Sequence, residues 1–283
     1  MLFKMEAKKA IKSTGFKVSI IVISIIVILQ SIWFYKNVRM VNLEEYNYFM
    51  NQKGNCLWYE NSIFEGWIGI EGFSMFGTLV FVLMPLIACM PYCLSFYDEW
   101  KTKYTEHVLI KRSKKEFLVT KYVVTFASGG IAASYPFLLS LFISALYLPV
   151  IKPDIRALSI GITDRSLGAQ LYDKSIFLYL TFFIVLEFIY GGIFAVTSMA
   201  ASKWIDNRFT IMLLPTAVTG FLYYVVFRMN LNWSKFLYPV FIKPEPGITS
   251  EFSFGVVIAE TLLFLIATFG VYFLSNIKRE TIN

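Results

Sequence analysis

The chain has 283 residues, of which 57% are hydrophobic, 18% aromatic and only 16% charged, and its formal net charge is +7. Soluble domains carry roughly 25% charged residues, so a mean hydropathy of +0.61 excludes an ordinary water-soluble enzyme. With three cysteines and one histidine, the chain cannot assemble a disulfide framework, a Cys/His zinc site or a two-histidine protease site.

Residues 1–16, ahead of the first long apolar run, alternate apolar side chains with lysines and one glutamate. This spacing predicts an amphipathic helix that lies in the membrane interface. A basic flank without fixed structure is the alternative.

Several apolar runs have about 18 residues or more, the length that a helix needs to cross a bilayer. They predict an all-α membrane protein with a single domain, residues 17–283, and six transmembrane helices. The predicted spans cover residues 17–36, 72–97, 117–149, 175–201, 208–228 and 253–276. The third run is too long for one crossing. Either its first turns stand outside the bilayer, or the region of Gly129, Gly130 and Pro136 breaks the helix.

Before the sixth span, residues 231–251 combine aromatic side chains with three prolines and a glycine. The segment is apolar enough to enter the membrane, but the helix breakers prevent it from crossing. It predicts a re-entrant hairpin, with an aromatic loop resting on the membrane surface as the alternative.

The basic residues predict the orientation of the chain. With the N-terminus inside, 16 of the 26 Lys and Arg residues lie in the inner segments and 10 in the longer outer loops. The positive-inside rule therefore places both termini in the cytoplasm. Short loops that face anionic lipid account for the net charge, so we expect no nucleic-acid partner.

The inner loop 98–116 leads without a break into the third span. Charges of both signs surround the apolar patch Val108, Leu109 and Ile110, a pattern typical of a short helix that docks on a partner protein. The loop also follows the pattern E-x-K, then ten or more mixed residues, then S-[KR]-[KR]-E-F-x-x-x-K. The matching residues are Glu99, Lys101, Ser113, Lys114, Lys115, Glu116, Phe117 and Lys121.

This pattern resembles the segment between spans two and three of type-2 ABC transporter permeases. The six spans, the amphipathic N-terminal segment and the broken apolar segment before span six also agree with that family. Three positions depart from it. Thr102 stands where the family usually has Gly, Lys103 where it has Thr, and Lys111 where Pro is common.

The resemblance implies that the permease dimerises, with an identical or homologous subunit, and binds two copies of a separate ABC ATPase. The loop after span two would act as a coupling helix in a cleft of the ATPase, and the loop 202–208 would make a shorter second contact. The coupling residues implied are Glu99, Lys101, Glu106, His107, Val108, Leu109, Ile110, Arg112, Lys203 and Trp204. Because this chain has no G-x-x-x-x-G-K-[ST] phosphate loop, we expect ATP and Mg²⁺ to bind to the partner. The chain itself would be a transport subunit that binds no cofactor.

Two acidic residues fall within the predicted spans. Glu187 lies near the middle of span four and Glu260 in the outer part of span six. A carboxylate at mid-membrane costs about 2.5–3.5 kcal/mol on insertion scales. Recognition of a cationic substrate and a structural hydrogen bond to a neighbouring Ser, Thr or Tyr are the two interpretations.

The leading functional prediction is the membrane subunit of an ATP-driven exporter in a bacterial plasma membrane. The aromatic and aliphatic lining suits an amphipathic cargo, such as an antimicrobial peptide or a lipid-linked molecule. One alternative is an ATP-independent transporter or channel with Glu187 in its path. Another is an intramembrane enzyme, which the pair Glu44 and Glu45 supports only weakly because it lies in an outer loop.

Overall fold

The computed structural model describes residues 2–51, 61–70, 75–110, 113–151, 167–229 and 254–277, which form helices and turns without a strand. The helices are α1 (Leu2–Lys12), α2 (Thr14–Phe34), a π-helical turn (Tyr35–Arg39), α3 (Met40–Asn51), α4 (Met75–Cys89), α5 (Cys93–Lys101), α6 (Tyr104–Leu109), α7 (Lys114–Ser144), α8 (Ala169–Lys174), α9 (Ile176–Ala201), α10 (Arg208–Met229) and α11 (Phe254–Ile277).

Six stretches of helix in the described residues are long and apolar enough to cross a membrane, which confirms the predicted number. They are Thr14–Glu45, Met75–Lys101, Lys114–Ser144, Ile176–Ala201, Arg208–Val225 and Phe254–Ile277. The largest difference from the predicted bounds is at the first span, because helix continues through the π-helical turn into α3. The segment 231–251 lies outside the described residues.

Serine caps begin two of the long helices. The backbone N–H of Phe16 donates to Ser13 Oγ at 3.0 Å, and that of Glu116 donates to Ser113 Oγ at 3.2 Å. Each bond satisfies a backbone donor that the first turn of a helix leaves unpaired. Since Glu116 follows its cap by three residues, the start of α7 also has the spacing of a capping box.

The second span is divided by a corner between α4 and α5. Pro91 lies in the turn Met90–Tyr92, where it cannot continue the helical hydrogen bonds. Ser13 Oγ donates to the carbonyl oxygen of Pro91 at 2.7 Å. A Cβ on Gly15 would lie 2.0 Å from the carbonyl oxygen of Met90, so only glycine lets the start of α2 approach the corner so closely.

Helix α7 is continuous over 31 residues, with Pro136 inside it. The interpretation that the region of Gly129, Gly130 and Pro136 breaks the third span is therefore wrong. Those glycines instead let α7 and α9 pack closely. A Cβ on Gly129 would lie 2.5 Å from Ala195 Cβ, and one on Gly191 would lie 2.2 Å from Ala133 Cβ. The small residues are spaced four apart on both helices, as in close-packed membrane helices.

A non-helical segment between the first two spans is inserted among the helices. All ten residues 61–70 are buried. The indole N–H of Trp67 donates to the carbonyl oxygen of Phe137 at 2.9 Å, and the backbone N–H of Ile68 donates to Ser140 Oγ at 2.9 Å. Irregular backbone is tolerated beside membrane helices only where protein groups satisfy it, and here α7 supplies them.

Candidate functional site

The predicted coupling residues lie at one end of the bundle, which we call the α6 end. It contains α1, α5, α6, the first turns of α7, the connection 202–207 and the end of α11. Helix α7 is about 46 Å long at 1.5 Å per residue. Because the hydrocarbon core is about 30 Å thick, roughly ten residues of α7 extend beyond one bilayer crossing, which agrees with its first turns standing outside the bilayer.

Helix α6 has six residues and follows a tight turn. Lys103 takes a left-handed backbone conformation with φ of 58°, which a residue with a Cβ adopts at a steric cost. The predicted docking segment is therefore a short helix set at a fixed angle to α5. It is shorter than the docking helix over residues 100–115 that the sequence predicts.

The side chains of the predicted apolar patch do not all face the same way. Val108 and Leu109 are half-buried against a cluster that includes Leu2, Phe96 and Phe117. Ile110 is 80% exposed. Glu106 and His107 are also exposed. The surface that α6 presents is thus charged and polar with one apolar side chain at its end.

Glu99 is buried and bound within the chain. Its Oε1 lies 2.7 Å from Lys121 Nζ, so the first and the last charged residues of the motif form an ion pair. Lys121 is fully buried, and its Nζ also lies 2.6 Å from Glu6 Oε2 of α1. It donates further hydrogen bonds to Ser95 Oγ at 2.9 Å and to the hydroxyl of Tyr92 at 3.0 Å. One ammonium thus joins α1, α5 and α7.

Lys9 completes this group, which we call the ionic cluster (Glu6, Lys9, Glu99 and Lys121). Its Nζ donates to Glu99 Oε1 at 2.6 Å and lies 4.5 Å from the ring centroid of Tyr104, the first residue of α6. Glu6 also accepts a short hydrogen bond from the hydroxyl of Tyr92. With two acidic and two basic residues, the cluster is electrically neutral.

The two members of the cluster in α1 have shifted pKa values. Burial alone would raise the pKa of Glu6, but the charge of Lys121 and hydrogen bonds from Lys121 and Tyr92 outweigh it, so the pKa is lowered. Burial alone would lower the pKa of Lys9, but the hydrogen bond and charge of Glu99 outweigh it, so the pKa is raised. Both shifts favour the charged forms that hold the cluster together.

The connection 202–207 is fastened to α5. The hydroxyl of Tyr97 donates to the carbonyl oxygen of Asp206, and Arg208 Nη2 lies 2.8 Å from Asp98 Oδ1. Trp204, one of the predicted coupling residues, is 61% exposed. The connection 202–207 therefore lies at the same end of the bundle as α6.

Lysines also bind the end of α11. Lys203 Nζ donates to the carbonyl oxygen of Ser275 at 2.6 Å, and Lys114 Nζ donates to that of Ile277 at 3.0 Å. Cations are favourable at a helix C-terminus because its last carbonyl groups have no helical partner. Lys203 thus has a role within the chain, whereas Lys101 is exposed above the ring of Tyr97. Arg112 lies outside the described residues.

The two acidic residues within the spans have different surroundings. Glu187 is 1% exposed, and neither of its carboxylate oxygens has a hydrogen-bond partner in the described part of the chain. Within that part, no neighbouring Ser, Thr or Tyr forms the structural hydrogen bond. Glu260 is half-buried and has an interaction partner.

In the part of the chain that the structure describes, no group of three or more His, Cys, Asp or Glu side chains could hold a metal ion. The fold is that of a multi-pass α-helical membrane protein. Comparison with protein-family models, with curated proteins and with solved structures found no match.

Sequence reasoning missed the roles of Glu6, Lys9 and Tyr92. Glu6 is the only acidic residue among the lysines of the N-terminal segment, and it lies on one helical stripe with Leu2 and Ala10. That stripe is the buried face of α1. A carboxylate in the middle of an otherwise apolar face was the signal that α1 packs against a cation of the same chain.

Proposed function

We propose that this chain is the membrane-spanning permease subunit of an ATP-driven exporter, and that the α6 end is the docking surface for a separate ABC ATPase. The observation that carries the proposal is the exposure of Ile110 at the tip of a short helix whose other apolar residues pack inward. Large apolar side chains exposed next to charged residues outside a bilayer are typical of protein contacts. Trp204 adds a second exposed apolar group at the same end.

The distribution of charge supports a cytoplasmic location for the α6 end. The lysines of α1, the start of α7 and the connection 202–207 all belong to this end, and positively charged segments are retained on the cytoplasmic side. Both termini would then be cytoplasmic. ATP is available on that side, as the proposed partner requires.

Membrane lipid is a further proposed partner, through α1. Its buried stripe faces the chain, while Phe3 and Ile11 are exposed beside the exposed Lys4, Lys8 and Lys12. Apolar side chains next to lysines match the boundary between acyl chains and anionic headgroups. This exposed stripe supports the interfacial position that the sequence predicts.

The cargo class is proposed from the abundance of aromatic and aliphatic residues in the spans. We propose an amphipathic cargo, such as an antimicrobial peptide or a lipid-linked molecule, moved outward through a dimer of permease subunits. ATP binding would close the ATPase dimer, move the two α6 helices and open a path between the subunits.

The docking surface is tested by replacing Ile110 with Asp and measuring co-purification with a co-expressed ABC ATPase of the same organism. Because Ile110 makes little contact within the chain, we expect normal membrane insertion and thermal stability but loss of the ATPase. Ile110→Leu is the matched control and should retain the partner. Leu109→Asp is a poor probe because Leu109 packs inward and its replacement would disturb folding. Full retention of the ATPase by Ile110→Asp would contradict the docking surface.

An ATP-independent transporter or channel remains a second candidate, because Glu187 is a buried carboxylate that has no partner in the ranges that the structure describes. Intramembrane ionisable residues are rare and often line a transport path. Efflux of a cationic peptide from proteoliposomes that contain only this chain, with no nucleotide and no ATPase, would favour that candidate. Efflux that requires both the ATPase and ATP would favour the exporter.

A further inference from the structure

The ionic cluster connects the docking helix to the N-terminal helix by two routes. In the first, Lys121 holds Glu99, which is two residues before the end of α5 and five before the start of α6. In the second, Lys9 of α1 lies directly between Glu99 and the ring of Tyr104. The position of α6 therefore depends on residues of α1 and α7 as well as on its own packing.

Successive turns of α1 meet successive turns of α7. Leu2 belongs to the cluster that contains Phe117 and Leu118, Glu6 pairs with Lys121, and Ala10 packs with Val124. The two helices thus run side by side along the whole of α1. Any movement of α1 relative to α7 would have to break the pair between Glu6 and Lys121.

Stability alone does not explain such a cluster. Removing the charged groups of Glu6, Glu99 and Lys121 from water is costly, and well-packed apolar residues of similar size are often as stable as a buried ion pair. Ion pairs with fixed partners define how α1, α5 and α7 are arranged. Only one register of these three helices brings each ammonium group to its carboxylates. The cluster is therefore better suited to positioning than to strengthening the fold.

We propose that Glu6, Lys9 and Lys121 are positioning residues that hold α6 in its docking orientation, and that α1 is thereby part of the coupling unit. This inference rests on the proposed function of α6 as the ATPase-docking helix. Force applied to α6 by the ATPase reaches α1 through Lys9 and Glu99, so α1 and α6 move as one body. None of the three residues contacts the partner; they act through Glu99 and Tyr104.

The decisive variant is the double substitution Glu6→Gln and Lys121→Met. It removes one charge of each sign, so that Lys9 and Glu99 remain as a neutral pair, and it deletes the ammonium that joins the three helices. Lys9→Met is a second, milder variant, since Lys9 is partly exposed and its replacement leaves the buried pair intact. Lys17→Met, an exposed lysine outside the cluster, is the control.

The first measurement does not involve the ATPase. Spin labels at Lys8→Cys on α1 and His107→Cys on α6, in a chain with Cys56→Ser, report the α1–α6 distance by pulsed electron resonance. Cys89 and Cys93 are buried and should not react. We expect a narrow distance distribution in the parent and in Lys17→Met, and a broadened one in the double variant and in Lys9→Met. A distribution that stays as narrow as in the parent overturns the proposal.

The second measurement is the affinity of the purified ATPase for each variant, together with the melting temperature. For the double variant we expect affinity to fall about tenfold, within the usual range of coupling between linked sites, while the melting temperature stays close to that of the parent. Unchanged affinity in a variant with a broadened distribution overturns the positioning role. An ATPase that binds not even the parent overturns the proposed function instead, and the distance measurement still decides whether the cluster positions α6.

Discussion

The indole N–H of Trp67 donates a 2.9 Å hydrogen bond to the carbonyl oxygen of Phe137, one residue after Pro136 in α7. Both side chains are fully buried and their rings are in contact, with centroids 5.8 Å apart. This bond attaches the irregular segment 61–70 to the middle of the third span.

Trp67→Phe should therefore destabilise the chain. The substitution keeps most of the apolar contact but removes the only donor of the side chain, at a cost of about 1–2 kcal/mol. The measurement is the melting temperature in detergent. Trp204→Phe is the matched control, since Trp204 is exposed and should tolerate the change. Equal melting temperatures for the two variants would show that the hydrogen bond is not needed.

Replacement by alanine should have opposite effects on stability at two glycines, because only one of them lies in the contact between α7 and α9. Gly191→Ala would place a Cβ 2.2 Å from Ala133 Cβ, whereas a Cβ on Gly220 of α10 meets nothing within 4 Å. We expect Gly191→Ala to destabilise by about 1–3 kcal/mol through overpacking. Gly220→Ala should be neutral or stabilise by up to about 1 kcal/mol because alanine favours a helix. Thermal unfolding of both variants checks this, and a tolerated alanine at 191 would contradict the observed packing.

Glu187→Leu should stabilise the chain. Because neither carboxylate oxygen has a partner among the described residues, the substitution removes a buried polar group without leaving another described group unsatisfied, which favours folding by about 1–3 kcal/mol. Glu260→Leu is the control and should give no such gain, since Glu260 has an interaction partner.

The same Glu187 variant also tests its role in transport. If Glu187 recognises cationic cargo, both Leu and Gln at this position should reduce efflux of a cationic peptide while sparing a neutral one. A stabilised Leu variant with unchanged efflux of both peptides would rule out a role in recognition.

The pKa shifts in α1 predict how its docking depends on pH. The pKa of Glu6 is lowered, so its contribution to stability is present above the ordinary value of 4.5 and is lost as the pH falls below it through the folded-state pKa. The pKa of Lys9 is raised, so its contribution is complete below 10.5 and is lost as the pH rises through a higher folded-state value.

We therefore expect α1 to stay docked from neutral pH down to the acid limit set by Glu6. The mobility of a spin label at Lys8→Cys, followed by electron resonance, should be constant over that range and rise as the pH falls below it. The increase in label mobility at acid pH should be smaller in Glu6→Gln, because this variant has no carboxylate to protonate at position 6. Release of α1 near neutral pH would contradict the assigned pairs.

The six spans were predictable because hydropathy over about 20 residues depends mainly on the sequence of each helix. The continuity of α7 through Pro136 was not, because it depends on packing against neighbours such as Trp67, which binds the carbonyl oxygen of Phe137. A short helix does lie within the segment 98–116, but the partners of Glu99 could not be predicted, because Glu6 and Lys121 are distant from it in sequence. Pairwise contacts between helices are set by packing, which local patterns do not encode.

The pair between Glu6 and Lys121 has a consequence for the order of synthesis. The two residues are more than one hundred positions apart, so the ribosome completes Lys121 about 5–25 s after Glu6 at typical elongation rates. During that interval two spans have been made, but the cation that neutralises Glu6 does not yet exist. We therefore expect the N-terminal helix to take its final position on the bundle only after the third span has been made.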